Sequence, residues 1–186
     1  MKKIRFNSPV VLSFALISGI VLIANYLTAG WSNTQFFMCS KGSWSDPLTY
    51  LRLFTHVLGH ADWNHYSGNM ILFLLVGPLL EEKYGSLNLF EIIIAVAFVT
   101  GIVHVFLPQN TGLLGASGIV FAFILLASIT GEGKGIPLTL LIAAAFYISQ
   151  QIYEGIIVRD NISQLTHIIG GSIGAFFGLF FSGSKK

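Results

Sequence analysis

Six apolar segments, most of them joined by short connections, restrict the folds that this chain can adopt. Charged residues make up only 10% of the 186 positions, whereas a soluble domain carries roughly 25%. A spanning helix needs about 20 mostly apolar residues, so six such segments occupy most of the chain. We therefore expect an all-α, polytopic membrane protein, a six-transmembrane-helix bundle that forms a single domain over residues 1–186. The predicted helices are 9–27, 63–80, 87–107, 116–130, 136–153 and 163–181.

The connection between the first and second apolar segments is long and covers residues 28–62. It is rich in aromatic residues but contains no clean span. Because aromatic side chains favour the membrane interface, we expect this outer loop to lie partly in the bilayer.

The distribution of positive charge predicts the orientation. An even number of spans places both termini on one side of the membrane, and seven of the ten Lys and Arg residues share that side. By the positive-inside rule the termini are cytoplasmic and the outer loop faces outward.

The net charge of +2 comes mostly from the chain ends. The lipid bilayer is therefore an expected partner, and nucleic acid is not.

Two polar residues stand at the heads of apolar segments, Ser117 and His167. Polar groups at bilayer depth are costly and usually face a cavity, and this pair suggests a nucleophile with its general base. The segment 116–130 spans only about 22 Å of a roughly 30 Å hydrocarbon core, so its helix should begin inside the membrane with Ser117 in the first turn. In the alternative interpretation, Ser117 is a small residue in a contact between helices and His167 is a structural histidine. The pattern Gly170-x3-Gly174-x3-Gly178 is also typical of such helix contacts.

The second segment carries further hydrogen-bonding groups, His65 and Asn69, four positions apart on one helical face. With the Ser117 N–H they could form an oxyanion hole, or they could simply join helices. His56 and His60 have metal-compatible spacing, but Val57 stands where a zinc protease needs a glutamate. We therefore predict no metal.

Taken together, these residues resemble the rhomboid family of intramembrane serine proteases. The resemblance implies a six-helix core, a Ser–His dyad without an acidic third member, no cofactor, and cleavage of single-pass transmembrane proteins in a bacterial cell (inner) membrane. It makes Ser117 the nucleophile, His167 the general base, and His65, Asn69 and the Ser117 N–H the oxyanion hole. It gives structural roles to Arg52, His60, Glu81, Gly170 and Gly174. The matching motifs are Arg52, His60-x4-His65-x3-Asn69, Glu81-x3-Gly85, Gly115-x-Ser117-Gly118 and His167-x2-Gly170-x3-Gly174.

The sequence departs from the family pattern at Phe121. Many bacterial members carry a tyrosine there, stacked on the histidine, and a phenyl ring can still stack on imidazole without the hydroxyl. No soluble amino-terminal domain is expected. Two other functions remain as alternatives. A non-cleaving membrane chaperone or transmembrane-helix binding factor would not need both Ser117 and His167. A channel or transporter would be expected to show paired midplane charges or internal symmetry.

Overall fold

The computed structural model describes residues 7–106, 112–129 and 161–183, together with positions 138, 139, 142, 145, 146 and 149. This part of the chain contains helices and no β-strand, apart from one isolated bridge between Cys39 and Leu113. The predicted all-α class is therefore confirmed. The α-helices are α1 Pro9–Leu27, α2 Pro47–Thr55, α3 Trp63–Tyr84, α4 Ser86–Phe106, α5 Ser117–Ile129 and α6 Asn161–Gly183.

Among the described residues, α1 and α4 are long and apolar enough to cross a membrane. Their mean hydropathies are 2.3 and 2.4, and α1 exposes large apolar side chains such as Leu16 and Ile20. Helix α5 is a shorter apolar helix. The predicted segment 136–153 lies mostly outside the described residues, although six positions within it are helical. In the described part of the chain, two helices therefore have the length and composition of membrane spans, while the arrangement of six spans stays a prediction.

Helix α3 is longer than the predicted 63–80. It continues through Pro78 to Tyr84 and ends at Gly85, whose φ of +85° suits glycine. Hydropathy ends the predicted segment before Glu81-Glu82-Lys83, yet glutamate and lysine are good helix formers. The polar turn therefore extends the helix and carries Glu81 with it.

The outer loop is folded along much of its length. A short π-helix covers Asn33–Phe37, α2 follows, and a 3₁₀ turn covers His56–Leu58. Helix α2 packs on α4, where Phe54 stacks on Phe98 with ring centroids 5.4 Å apart. Hydropathy does not predict α2, because its nine residues are too few to cross a membrane.

Helix α5 lies at the centre of the packing. It contacts α3, α4 and α6, and Ile119, Ala122 and Leu126 are completely buried. Phe123 stacks on Phe73 of α3 with ring centroids 5.1 Å apart. This central position fixes the start of α5, where Ser117 lies.

Candidate active site

Ser117 is the first residue of α5, and the loop before it is held by backbone hydrogen bonds. The Gly115 N–H donates to the His56 carbonyl at 2.9 Å, and Leu113 exchanges two hydrogen bonds with Cys39. Gly115 has a φ of +121°, which favours glycine. The Ser117 N–H is among the first donors of the helix, which have no intrahelical acceptor. The loop therefore presents the serine together with an available N–H group.

His167 lies in α6 and is buried, with 7% of its surface exposed. Its ring contacts Phe121 of α5 at a centroid distance of 4.5 Å and an interplanar angle of 48°. In the same turn of α6, the side chain and carbonyl of Thr166 lie within van der Waals distance of a Cβ built at Gly118. The structure thus brings the His167 turn alongside the start of α5.

The glycines of α6 make this approach possible. A Cβ at Gly170 would overlap the Gly118 carbonyl, and one at Gly174 would overlap the Ala122 carbonyl. At both positions the two helices touch backbone to backbone. Such close packing is typical of small-residue contacts between membrane helices.

His65 and Asn69 both lie against the loop that precedes Ser117. A Cβ built at Gly115 would lie 2.6 Å from His65 Nε2 and 3.8 Å from Asn69 Nδ2. Asn69 is 8% exposed, and its Nδ2 has no hydrogen-bond partner among the described residues. A buried donor without an acceptor costs free energy. It suits a group that binds charge developing only during a reaction.

His60 and His56 lie deeper than His65. His60 is fully buried, and its ring meets the His65 ring edge-on at 5.0 Å. Burial is the main cause that lowers the pKa of His60 and of His56 to about 4, so both imidazoles are neutral at pH 7. His56 Nε2 lies 3.0 Å from the Ala97 carbonyl. When Nε2 carries the proton, it donates to this carbonyl and cannot bind a metal ion. The described residues contain no group of three or more His, Cys, Asp or Glu suited to a metal.

Arg52 makes its contacts inside the outer loop. Its Nε donates to the Gln35 carbonyl at 2.7 Å, and its Nη1 lies 3.4 Å from an Asp46 carboxylate oxygen. These contacts join α2 to the π-helix. The structural role that the resemblance implies for Arg52 stays a prediction.

Glu81 caps the amino-terminal end of α1. Its carboxylate accepts from the N–H groups of Val10 and Val11 at 3.0 and 2.9 Å, and from the Ser86 hydroxyl at 2.7 Å. A buried carboxylate at the start of a helix offsets the helix dipole and satisfies two free N–H groups. Glu81 therefore ties α1 to the junction of α3 and α4.

Two features near the site were not predicted from the sequence. One is the His56 carbonyl that holds Gly115, and the other is the bridge between Cys39 and Leu113. Both use backbone groups, which leave no signature in side-chain patterns.

The structure also contains an apolar cavity of about 380 Å³ between α1, the outer loop and α4. None of the candidate site residues lines this cavity.

Comparisons with known proteins identify the family of this chain. A family model described as the Rhomboid domain matches residues 47–184. The chain is 29% identical to Rhomboid-like protein 11, chloroplastic, of Arabidopsis thaliana over 132 residues, 62% of this chain and 46% of that protein. It is 28% identical to Rhomboid-related protein 1 of Caenorhabditis elegans over 137 residues, 68% of this chain and 38% of that protein. The chain thus spans less than half the length of these curated relatives. Because the family model covers well over half of the chain, this protein belongs to the rhomboid family.

Proposed function

We propose that this protein is an intramembrane serine protease that cleaves single-pass transmembrane proteins with a Ser117–His167 dyad. The observation that carries the proposal is the position of two side-chain donors, the buried Asn69 Nδ2 and the His65 ring, beside the Gly115 loop. Ser117 follows directly, at the start of α5.

The reaction is acyl transfer. His167 takes the proton of the Ser117 hydroxyl while the Ser117 oxygen attacks the carbonyl carbon of the scissile peptide bond. The oxyanion accepts hydrogen bonds from the Ser117 N–H, Asn69 and His65, and one such donor is worth about 3–4 kcal/mol. When the C–N bond breaks, His167 gives its proton to the leaving amine. Water then hydrolyses the ester by the same steps.

The chemistry of the site restricts the substrate. A transmembrane helix hides its carbonyls in its own hydrogen bonds, so the segment that is cut must become extended. Glycine or proline near the cut site lowers the cost of that opening. We place the protein in a bacterial inner membrane with six spans, as the resemblance implies, and with cytoplasmic termini and an outward-facing site, as the charge distribution predicts.

A reporter assay tests the proposal. Purified protein in liposomes is incubated with a single-pass reporter that carries Gly and Pro near its outer membrane boundary. We expect the wild type to cleave, Ser117→Ala and His167→Ala to be inactive while still folded, and EDTA to have no effect. A wild type that binds the reporter without cutting it would instead indicate a non-cleaving helix-binding factor. Substantial cleavage by either variant would overturn the dyad.

A further inference from the structure

Tyr66 links α3 to α1. It follows His65 directly in the chain, and its hydroxyl donates to the Ala15 carbonyl of α1 at 3.0 Å. Gly19 leaves the space for this hydroxyl, because a Cβ there would lie 3.0 Å from the phenol oxygen and 3.5 Å from the next ring atom. The phenol is therefore held at its outer end by the backbone of a neighbouring helix.

The rings of Tyr66, His60 and His65 lie in a row, and Tyr66 also contacts the Trp63 ring at 5.5 Å. Tyr66 meets His60 edge-on at 5.4 Å and 87°, and His60 meets His65 at 5.0 Å and 68°. His60 has no exposed surface, and its Nδ1 lies 3.2 Å from the Leu58 carbonyl. Because edge-to-face contacts are directional, a change at Tyr66 passes through His60 to the orientation of the His65 ring.

We propose that Tyr66 is a positioning residue for His65, acting through the ring of His60. The inference rests on the proposed protease function, in which His65 donates to the oxyanion. His65 Nε2 would lie 2.6 Å from a Cβ at Gly115, so its ring has almost no freedom on that side. The His60 ring also contacts the His65 ring, and the row is anchored to α1 by the Tyr66 hydroxyl.

The geometry makes the effect of Tyr66 separable from a general structural role. An oxyanion donor acts mainly in the transition state, so misplacing it lowers kcat and leaves KM nearly unchanged. Because a 1 Å misplacement costs about a hundredfold, a shift of a few tenths of an ångström should cost about three- to tenfold. Loss of general packing would instead lower the thermal midpoint and leave the kcat of the folded fraction as it was.

Two substitutions disturb the same contact from opposite sides. Tyr66→Phe removes only the hydroxyl, and Gly19→Ala adds a methyl group that pushes against it. Each should lower kcat about three- to tenfold at constant KM. In the double variant the methyl group meets no oxygen, so Gly19→Ala should add nothing to Tyr66→Phe. Gly68→Ala is the matched control, because a Cβ at Gly68 meets no atom within 4 Å. It should keep wild-type kcat.

A readout independent of turnover separates this inference from the proposed function. The chain has five histidines, so ¹³C-histidine labelling gives five ring Cε1 signals, which single substitutions assign. Tyr66→Phe should shift the His60 and His65 signals and leave His167 in place. If the wild type fails to cleave the reporter, the proposed function fails, but this spectrum still decides whether Tyr66 orients His65. An unmoved His65 signal, an unchanged kcat in an active Tyr66→Phe enzyme, or additive effects in the double variant would each overturn the positioning role.

Discussion

Gly170 of α6 and Gly118 of α5 meet backbone to backbone, so closely that a Cβ on Gly170 would overlap the Gly118 carbonyl. The contact joins the residue that follows Ser117 to the turn that contains His167. Helices α5 and α6 can approach this closely because neither Gly118 nor Gly170 carries a side chain. A dyad carried on two separate helices depends directly on the distance between them.

Substitution of Gly170 by alanine tests this dependence. The added methyl group must push α6 away from α5, and overpacking of this kind costs about 1–3 kcal/mol. We expect cleavage to fall at least tenfold as His167 moves with α6, together with a lower thermal midpoint. Gly178→Ala is the matched control, because the nearest atoms to its Cβ belong to the Ile129 side chain at 3.0 Å or more, and not to the backbone of α5. Equal losses in the two variants would contradict a special role for the Gly170 contact.

The oxyanion donors give a second prediction. Asn69→Ala should lower kcat by about 10²- to 10³-fold with little change in KM, because the lost hydrogen bond is made in the transition state. His65→Ala should act in the same direction. Steady-state kinetics in detergent with the transmembrane reporter measures both parameters. Wild-type turnover in both variants would mean that other groups hold the oxyanion and that these two serve helix packing.

Sequence patterns predict the parts of this molecule that depend on side-chain character. Apolar runs mark the helices, and the i, i+4 spacing of Gly170 and Gly174 predicts a close helix contact. The partner of Glu81 could not be predicted, since the N–H groups of Val10 and Val11 lie 71 and 70 positions away and any helix start offers similar donors. The predicted end of α3 at residue 80 is wrong for a related reason. A polar turn ends a hydrophobic segment without ending the helix.

Phe121 provides a third prediction, on the departure from the family pattern. Its ring contacts His167 at 4.5 Å and is partly exposed. Phe121→Tyr should therefore change activity little, whereas Phe121→Ala should lose most turnover, since the imidazole can drift and about 1 Å costs about a hundredfold. Its thermal midpoint should fall only modestly. Ile124→Ala, a truncation at a partly buried position of the same helix, is the control and should keep turnover. Normal cleavage by Phe121→Ala would make Phe121 an ordinary packing residue.

Glu81 should stabilise the fold without taking part in the chemistry. Glu81→Gln replaces one acceptor oxygen by an amide and removes the charge at the start of α1, a loss of about 1–2 kcal/mol. We expect a lower thermal midpoint with kcat of the folded enzyme unchanged. Glu82→Gln is the matched control at an exposed position and should unfold like the wild type. The cap would be unimportant if the two variants unfolded at the same temperature.

Acidification should weaken the fold through His56 and His60. Burial lowers the pKa of each in the folded protein to about 4, below the value of about 6.5 in an unfolded chain. Between these values the unfolded state binds more protons, so stability is complete above pH 6.5 and is lost as the pH falls towards 4. At pH 5 the loss amounts to about 2 kcal/mol for each histidine.

Thermal unfolding in detergent from pH 7.5 to 5 measures this effect. His60→Gln removes one contributing group, so its thermal midpoint should fall less steeply with decreasing pH than that of the wild type, whatever its absolute stability. The slope is the informative quantity, because the substitution of a buried side chain lowers stability at every pH. A wild-type midpoint that stays constant down to pH 5 would mean that the two imidazoles are not held neutral by burial, and an unchanged slope in His60→Gln would remove His60 from the effect.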